Sequence, residues 1–418
     1  MCAKTLEYFG VQFDSGAIRS TMATLERQRK ERADYVFPSN RLTYTDGGQL
    51  VLEAGKTFRV GSDVFTEWED AEKAADQSGE KIQVEQTPAA LPLTGHAAGQ
   101  LASVLGIPQV FIKNLREKKY SDLLGHNFRE LLGRDSRRFL IRTLPDKEGN
   151  RRVRAFLSDR YRCLDNYDLF FAAADVAAEE VEAGKPRASV WKCRMSDDGG
   201  QFEMFLFSPH IYGEVRLDRP FDPGDGWMSR WHGQSGDGHN AACRVGNSET
   251  GTARLTANLS CLRKICANFC TWTEGVATVH LGKANEDEGL VLSQETRKES
   301  DRVVWLKVKD LIRSAFDPVK FQAIIDRLNG ITQQEIEPQR AVDQVVDAYQ
   351  IAEDRKALIL GHLLGSGDRS RFGLVQAITA TCHDLDRRGE TEPASQLEEI
   401  GAKLVDMPDK AFATLVRV

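Results

Sequence analysis

The sequence predicts an α+β protein: an antiparallel sheet of paired hairpins flanked by helices, followed by a helical C-terminal part. Three observations lead there. Strand-like segments come in adjacent pairs joined by tight Gly- and Asp-containing turns, with no strand–helix–strand alternation. Between the pairs, apolar residues recur at helical spacing, as in LTGHAAGQLASVLGIPQVFIKNLREKKYSDLLGHNFRELLG. Beyond about Asp301 the pattern is almost wholly helical.

Taken in order, Ala17–Arg32 suits a charged helix, and RLTYTDGGQLVLE suits a hairpin turning at Asp46-Gly47-Gly48. Ser62–Gln86 holds eight acids against two lysines and reads as a solvated helix and linker. The next helical stretch breaks at Gly106-Ile107-Pro108, where Gly ends one helix and Pro opens another. Arg138–Leu144 and Arg151–Leu157 alternate as two strands around a Pro-Asp-Lys-Glu-Gly-Asn turn. Asp165 or Asn166 can cap a helix beginning at Tyr167. SVWKCRM and QFEMFLFS form a second hairpin around Asp197-Asp198-Gly199-Gly200. Phe221–Gly251 reads as a long polar loop, Asn258–Cys270 as a helix and Gly275–Leu281 as a strand. These signals divide the chain into an N-terminal hairpin and charged region (1–90), a mixed core (91–300) and a helical region (301–418).

A hydrophobic content of 41% with 28% charged residues describes an ordinary soluble globular chain. No apolar run approaches the roughly 18–20 residues that span a bilayer, and MCAKTLEYFGVQFD has neither part of a secretory signal. A cytoplasmic location with reduced thiols is therefore expected, and no membrane partner.

The charge is unevenly placed. Ten basic residues stand against four acids between Arg134 and Arg162, a net +6 in a chain whose total is −6. Such a concentration suggests a polyanion-binding face. Period-2 alternation puts Arg152, Arg154 and Phe156 on one face and Val153, Ala155 and Leu157 on the other. Guanidinium pairs with phosphate and a ring stacks on an unpaired base. The expected nucleic-acid contacts are thus Arg138, Arg142, Arg151, Arg152, Arg154, Arg160, Tyr161 and Arg162, with single-stranded DNA the favoured partner. The opposing interpretation is a solvated face, or one paired with the acidic Ser62–Gln86 stretch.

Several segments resemble, in order, the phage- and plasmid-associated family called domain of unknown function 932. They are Leu93–Pro108 (LTGHAAGQLASVLGIP), Ser158–Asn166 (SDRYRCLDN), Arg244–Gly251 (RVGNSETG), Leu262–Phe269 (LRKICANF) and Arg371–Thr379 (RFGLVQAIT). The resemblance implies a mobile-element setting in the cytoplasm, and it carries no catalytic residues with it. The sequence departs from the family's pattern at Phe269-Cys270-Thr271, where an Asn-Gly-like turn is expected.

Other chemistry is weaker. Gln100-Leu101-Ala102 through Ile107 has helix-turn-helix spacing, which would expose Gln109, Lys113 and Asn114 on the second helix. Cys261, Cys266 and Cys270 cannot converge on a metal from a helix, since Cys261 would lie about 140° from Cys266. His232, Asp237 and His239 match no metal signature, and GQSGD lacks the second Gly of a nucleophile elbow. Ala54-Gly55-Lys56-Thr57 lacks the first Gly of a phosphate loop. Asn247-Ser248-Glu249 suits polar work or a loop that caps its own backbone. No catalytic residue, cofactor or metal is assigned. The reading is a mobile-element protein that binds nucleic acid through a basic hairpin, and a homo-oligomer is compatible with it. The rivals are an interaction protein that meets host defence or replication machinery, and an enzyme with its site in the Trp227–Gly251 loop.

Overall fold

The structure, a computed structural model, describes residues 15–416 except 54, 62, 66, 87–89, 160, 183, 197–198, 217–236, 264–268 and 272–293. The chain begins with helix α1 (Ser15–Glu31), whose Ile18, Met22 and Leu25 share one face. It continues through β1 (Ala33–Pro38), the hairpin β2 (Leu42–Tyr44) and β3 (Gln49–Leu52), then β4 (Lys56–Val60) and β5 (Asp63–Phe65). Next come α2 (Trp68–Ser78), β6 (Gln83–Gln86), β7 (Leu91–Pro92), α3 (Gly95–Val104), α4 (Gln109–Glu117) and α5 (Ser121–Arg134). The basic hairpin follows as β8 (Arg138–Pro145) and β9 (Arg151–Ser158).

These strands make a six-stranded sheet in the order β6-β4-β5-β1-β8-β9, antiparallel except for the β1–β5 pair. A small sheet, β2-β3-β7, lies beside it. Tyr35, Phe37, Phe139, Ile141 and Phe156 pack with Leu101, Ile112, Leu115, Phe128 and Leu132 of α3–α5 in one core. Its outermost strand is not bare. Thr94 N donates to Val153 O at 2.9 Å, and Gln100 Oε1 accepts from Phe156 N, so α3 closes the edge of β9.

The second sheet is antiparallel throughout. Helix α6 (Asn166–Ala178) and the short pair β10 (Glu180–Glu182) and β11 (Lys185–Pro186) lead into it. Its order is β12 (Ser189–Met195), β13 (Gln201–Val215), β14 (Asp237–Ser248), β15 (Thr256–Arg263) and β16 (Phe269–Thr271). Both faces are covered: Phe202, Met204 and Leu206 pack with α6 in the second core, and the alternate Phe205 and Phe207 are buried as well. The helices α7 (Gln294–Ala315), α8 (Pro318–Ile331), α9 (Pro338–Tyr349), α10 (Glu353–Ser366), α11 (Arg371–Arg387), α12 (Thr391–Asp406) and α13 (Asp409–Leu415) complete it. The α+β class, the antiparallel sheets and the helical C-terminal region are as the sequence predicts.

The cores divide the chain differently from the expected boundaries at 90 and 300. One core is drawn from residues 33–156; the other joins α1 to residues 164–416, so the C-terminal helices pack on the second sheet. The two basic and apolar hairpins therefore sit in different sheets.

Three local expectations change. Asn258–Cys270 is strand, not helix, over its described residues. Leu255, Ala257, Leu259 and Cys261 bury one face at period 2, and the register with β14 runs from His239↔Arg263 to Gly246↔Thr256. Ser62–Gln86 is not only a solvated helix, because it contributes β5 and β6 to the first sheet. The expected loop up to Gly251 ends in β14, the middle strand of the second sheet. Its Gly238, Ala241, Ala242 and Gly246 are small because helices and strands crowd both its faces. Residues 217–236 and Gly275–Leu281 lie outside the described residues.

Candidate functional site at the junction of the two cores

The basic hairpin is where the alternation argument breaks. Arg142 pairs with Ala155 and Thr143 with Val153, which leaves Arg154 as the extra residue of a β-bulge. The bulge turns Arg154 inward, so that Val153, Arg154, Ala155 and Phe156 are all buried in succession. Arg142 and Arg154 both reach Glu249, in the turn that follows β14: Arg142 Nη1 donates to its carbonyl at 2.8 Å, and Arg154 pairs with its carboxylate.

The expected positive surface is therefore corrected residue by residue. Arg142 is fully buried, with Nε donating to both Asp34 oxygens at 3.1 Å. Arg154 is buried against Glu249. Arg151 is half-buried and donates to Thr143 Oγ1 and to the Glu31 carbonyl, each at 3.0 Å. Arg152 is solvent-exposed but pairs with Asp146 at 2.7 Å. Tyr161 is half-buried, its hydroxyl donating to the Ser248 carbonyl at 3.0 Å. Arg162 donates from Nε to Asp301 at 2.7 Å. Arg138 is exposed with no ion pair among the described residues, and Arg160 lies outside them. Among the described arginines of the hairpin, Arg138 and Arg152 remain exposed, and Arg152 is paired with Asp146.

What the arginines build instead is a buried polar junction. Glu249 Oε1 accepts from Asn166 N at 2.8 Å, so it caps the positive end of α6 from a distant part of the chain. Asp165, the residue before that helix, makes no capping bond of its own and pairs with Arg32 instead. Asn247 Nδ2 donates to the Leu164 carbonyl at 2.8 Å and to Asn166 Oδ1 at 2.9 Å. From the other core, His96 Nε2 lies 3.0 Å from the Thr250 carbonyl and Gln100 Nε2 donates to it at 2.8 Å. Ser248 Oγ accepts from Thr250 N and Thr252 N, so the backbone-capping role expected for this segment is present as well. Three segments that carry the family resemblance, Leu93–Pro108, Ser158–Asn166 and Arg244–Gly251, thus meet at one place.

The electrostatics are those of a closed set. Arg32, Arg142 and Arg154 balance Asp34, Asp165 and Glu249. Burial pushes the Glu249 carboxyl upward, but Arg154, Arg142 and the Asn166 N–H outweigh it and hold the group below its ordinary range. Burial raises the Asp165 carboxyl despite Arg32. The Cys163 thiol is pushed up to about 12 by burial, so it stays protonated and is no nucleophile at neutral pH. Burial also raises the Tyr161 hydroxyl to about 12. Asp168, on the first turn of α6, is raised to about 6 by burial and by Asp165. The junction can hold two cores in register.

A second such set lies within the second unit. Arg194 and Arg244 pair with Glu203 and Glu398, and Arg194 and Lys192 pair with Asp386. All three cations stack on the Phe205 ring. This set fastens α11 and α12 to the sheet.

Sequence reasoning missed Asp34, Asp165 and Glu249 as the partners of the basic segment. Asp34 and Glu249 lie far from it along the chain, Asp165 reads as a helix cap, and the bulge that aims Arg154 has no sequence signal. The helix-turn-helix segment fared differently. Its two helices form, the turn places Gly106 at φ 72°, and Gln109, Lys113 and Asn114 are exposed on α4. Of α4, only Ile112 and Leu115 are buried. Val110 is 69% exposed and Phe111 41%, and in the turn to α5 Lys118, Lys119 and Tyr120 are exposed.

Among the described residues no cluster of three His, Cys, Asp or Glu side chains is arranged to hold a metal. Cys266 and the two histidine-loop residues His232 and Asp237 are respectively outside the described residues, outside them, and on β14 with no described side chain. His239 is buried in β14 against Phe372. No described helix is long and apolar enough to cross a membrane. Comparisons of the chain with family models, with curated proteins and with solved structures find no match.

Proposed function

We propose that this protein binds single-stranded nucleic acid, and that the contact lies on the outer face of the α4–α5 corner and not on the β8–β9 hairpin. The observation that carries this is the exposure of two aromatic rings, Phe111 (41%) and Tyr120 (52%), among Lys113, Arg116, Lys118 and Lys119. Glu117 pairs with Lys113 at 3.9 Å, and along the segment Glu117 and Asp122 stand against the four cations. Rings left in water beside cations suit base stacking with phosphate pairing. Lys119 adds a further sign. It adopts φ 60°, and Tyr120 N closes the end of α4 on the Leu115 carbonyl at 2.9 Å, in the place where glycine is the favoured residue. A lysine kept there at a backbone cost suits a use for its charge. The resemblance adds the setting, a mobile element in the cytoplasm.

The test is anisotropy of a labelled oligo-dT across a salt series. Replacing Phe111 and Tyr120 together by Ala should weaken binding roughly tenfold to a hundredfold. Replacing Lys118 and Lys119 by Ala should make the log–log salt slope shallower by about 1.4. R152A should change neither. Unchanged affinity and slope in both α4–α5 variants would overturn the reading. Val110 and Leu123, also exposed on this corner, favour a protein partner as the second reading. In that case the ring variant loses a protein contact while oligonucleotide affinity stays level.

A further inference from the structure

We propose that residues 33–158 and the unit formed by α1 with residues 164–416 are two bodies that open against each other, and that Glu249 is the latch that holds them closed. The inference stands apart from the nucleic-acid reading, since it concerns a different face.

Four observations carry it. The two large hydrophobic clusters share no residue, a smaller one lies wholly within the first unit, and each unit has its own sheet and helices. The chain passes between the units at only two places, at Arg32–Ala33 and across 158–164. The hydrogen bonds and ion pairs that close the junction are numerous: among them are the Arg154–Glu249 pair, Arg142 on the Glu249 carbonyl and 3.6 Å from Asp165, His96 and Gln100 on the Thr250 carbonyl, and Arg151 on the Glu31 carbonyl, while α2 also touches α7. Polar inter-domain contacts of this kind favour relative motion, whereas a large apolar contact would fuse the units. Finally, the latch is incompletely satisfied: Arg154 Nε and Nη1 are buried without an acceptor among the described residues. Buried charges with donors unmet contribute less to closure than their number implies.

Glu249 is the pivot because it is shared. Its backbone carbonyl and one carboxylate oxygen hold the first unit, while the other oxygen caps α6 of the second. Removing its charge leaves Arg154 buried and unpaired, which favours the open form.

The experiment uses the full chain with E249Q, and Q100A as a milder variant that removes the hydrogen bond to Thr250, together with the bond to Phe156 N inside the first unit, without changing charge. Limited trypsin digestion, small-angle scattering and far-UV circular dichroism are read together. Opening predicts cleavage in the 158–164 connection, which carries Arg162, roughly a hundredfold faster in E249Q. The radius of gyration should rise and the circular dichroism stay that of the wild type. Q100A should move in the same direction by less. Wild-type cleavage and dimensions in both variants would overturn the proposal, because the latch would then hold nothing. Loss of secondary structure in both would overturn it too, because the junction would then be part of one indivisible fold.

Discussion

At the scale of single residues, five of the described arginines, Arg142, Arg154, Arg194, Arg244 and Arg371, are buried. Arg371 is the extreme case. Fully buried, it donates from Nε to the Leu404 carbonyl at 2.7 Å and from Nη2 to the Leu404, Val405 and Met407 carbonyls, so it closes the C-terminal end of α12. None of these partnerships was legible from composition. A run of arginines reads as a surface until the acids that meet it are known, and Asp34 and Glu249 stand well apart from it in the sequence. The residue-scale prediction concerns Asp168. Its carboxyl is raised to about 6 by burial and by Asp165, so the folded state binds a proton more readily than the unfolded chain. Stability from this group is complete below the unfolded value near 4 and is lost as pH rises to about 6. Asp168→Asn should therefore stabilise the protein at pH 7.5 by about 1 kcal/mol, after allowance for its partial exposure. Urea midpoints at pH 4 and 7.5 check it: the gain should appear only at the higher pH.

At the scale of elements, legibility followed local periodicity. The β12–β13 hairpin, the basic hairpin and the C-terminal helices were all readable, because each repeats its apolar residues at its own period with a turn or cap at the end. β14 and β15 were not. A central strand with helices over both faces needs small residues, and Gly238, Ala241, Ala242 and Gly246 imitate a loop. In β15 a short apolar run fits either period, and only pairing with β14 decides it. The bulge in β9 is a third kind of failure, since one unpaired residue inverts the facing of every side chain beyond it. The turn between α4 and α5 supports a prediction of its own. Lys119→Gly relieves the left-handed backbone at φ 60° and should stabilise the fold by about 1 kcal/mol. The same change should weaken oligo-dT binding and make its salt slope shallower by about 0.7. Thermal melting and anisotropy on one preparation check both halves. Gain in stability without loss of binding would show that the lysine is not there for phosphate.

At the scale of the molecule, the hydrophobic clusters cut across the expected boundaries at 90 and 300, since α1 and the C-terminal helices both pack with the second sheet. Ile18 and Leu25 are buried with α6 and β12, far along the chain, while the intervening residues build a separate core. L25A should cost about 3 kcal/mol. Hydrogen exchange should quicken in α6 and the second sheet and stay slow in β8 and α5. Equal loss of protection in both units would contradict the separation of the cores. That arrangement also sets a schedule for a ribosome. Helix α1 leaves the exit tunnel before the inserted unit of 33–158, yet its partners in α6 emerge only after the whole of it. At about 5–20 residues per second, the wait is on the order of 10 s. During it the nascent chain carries an unpartnered amphipathic helix ahead of a domain still being completed, which is the kind of surface a holding chaperone recognises.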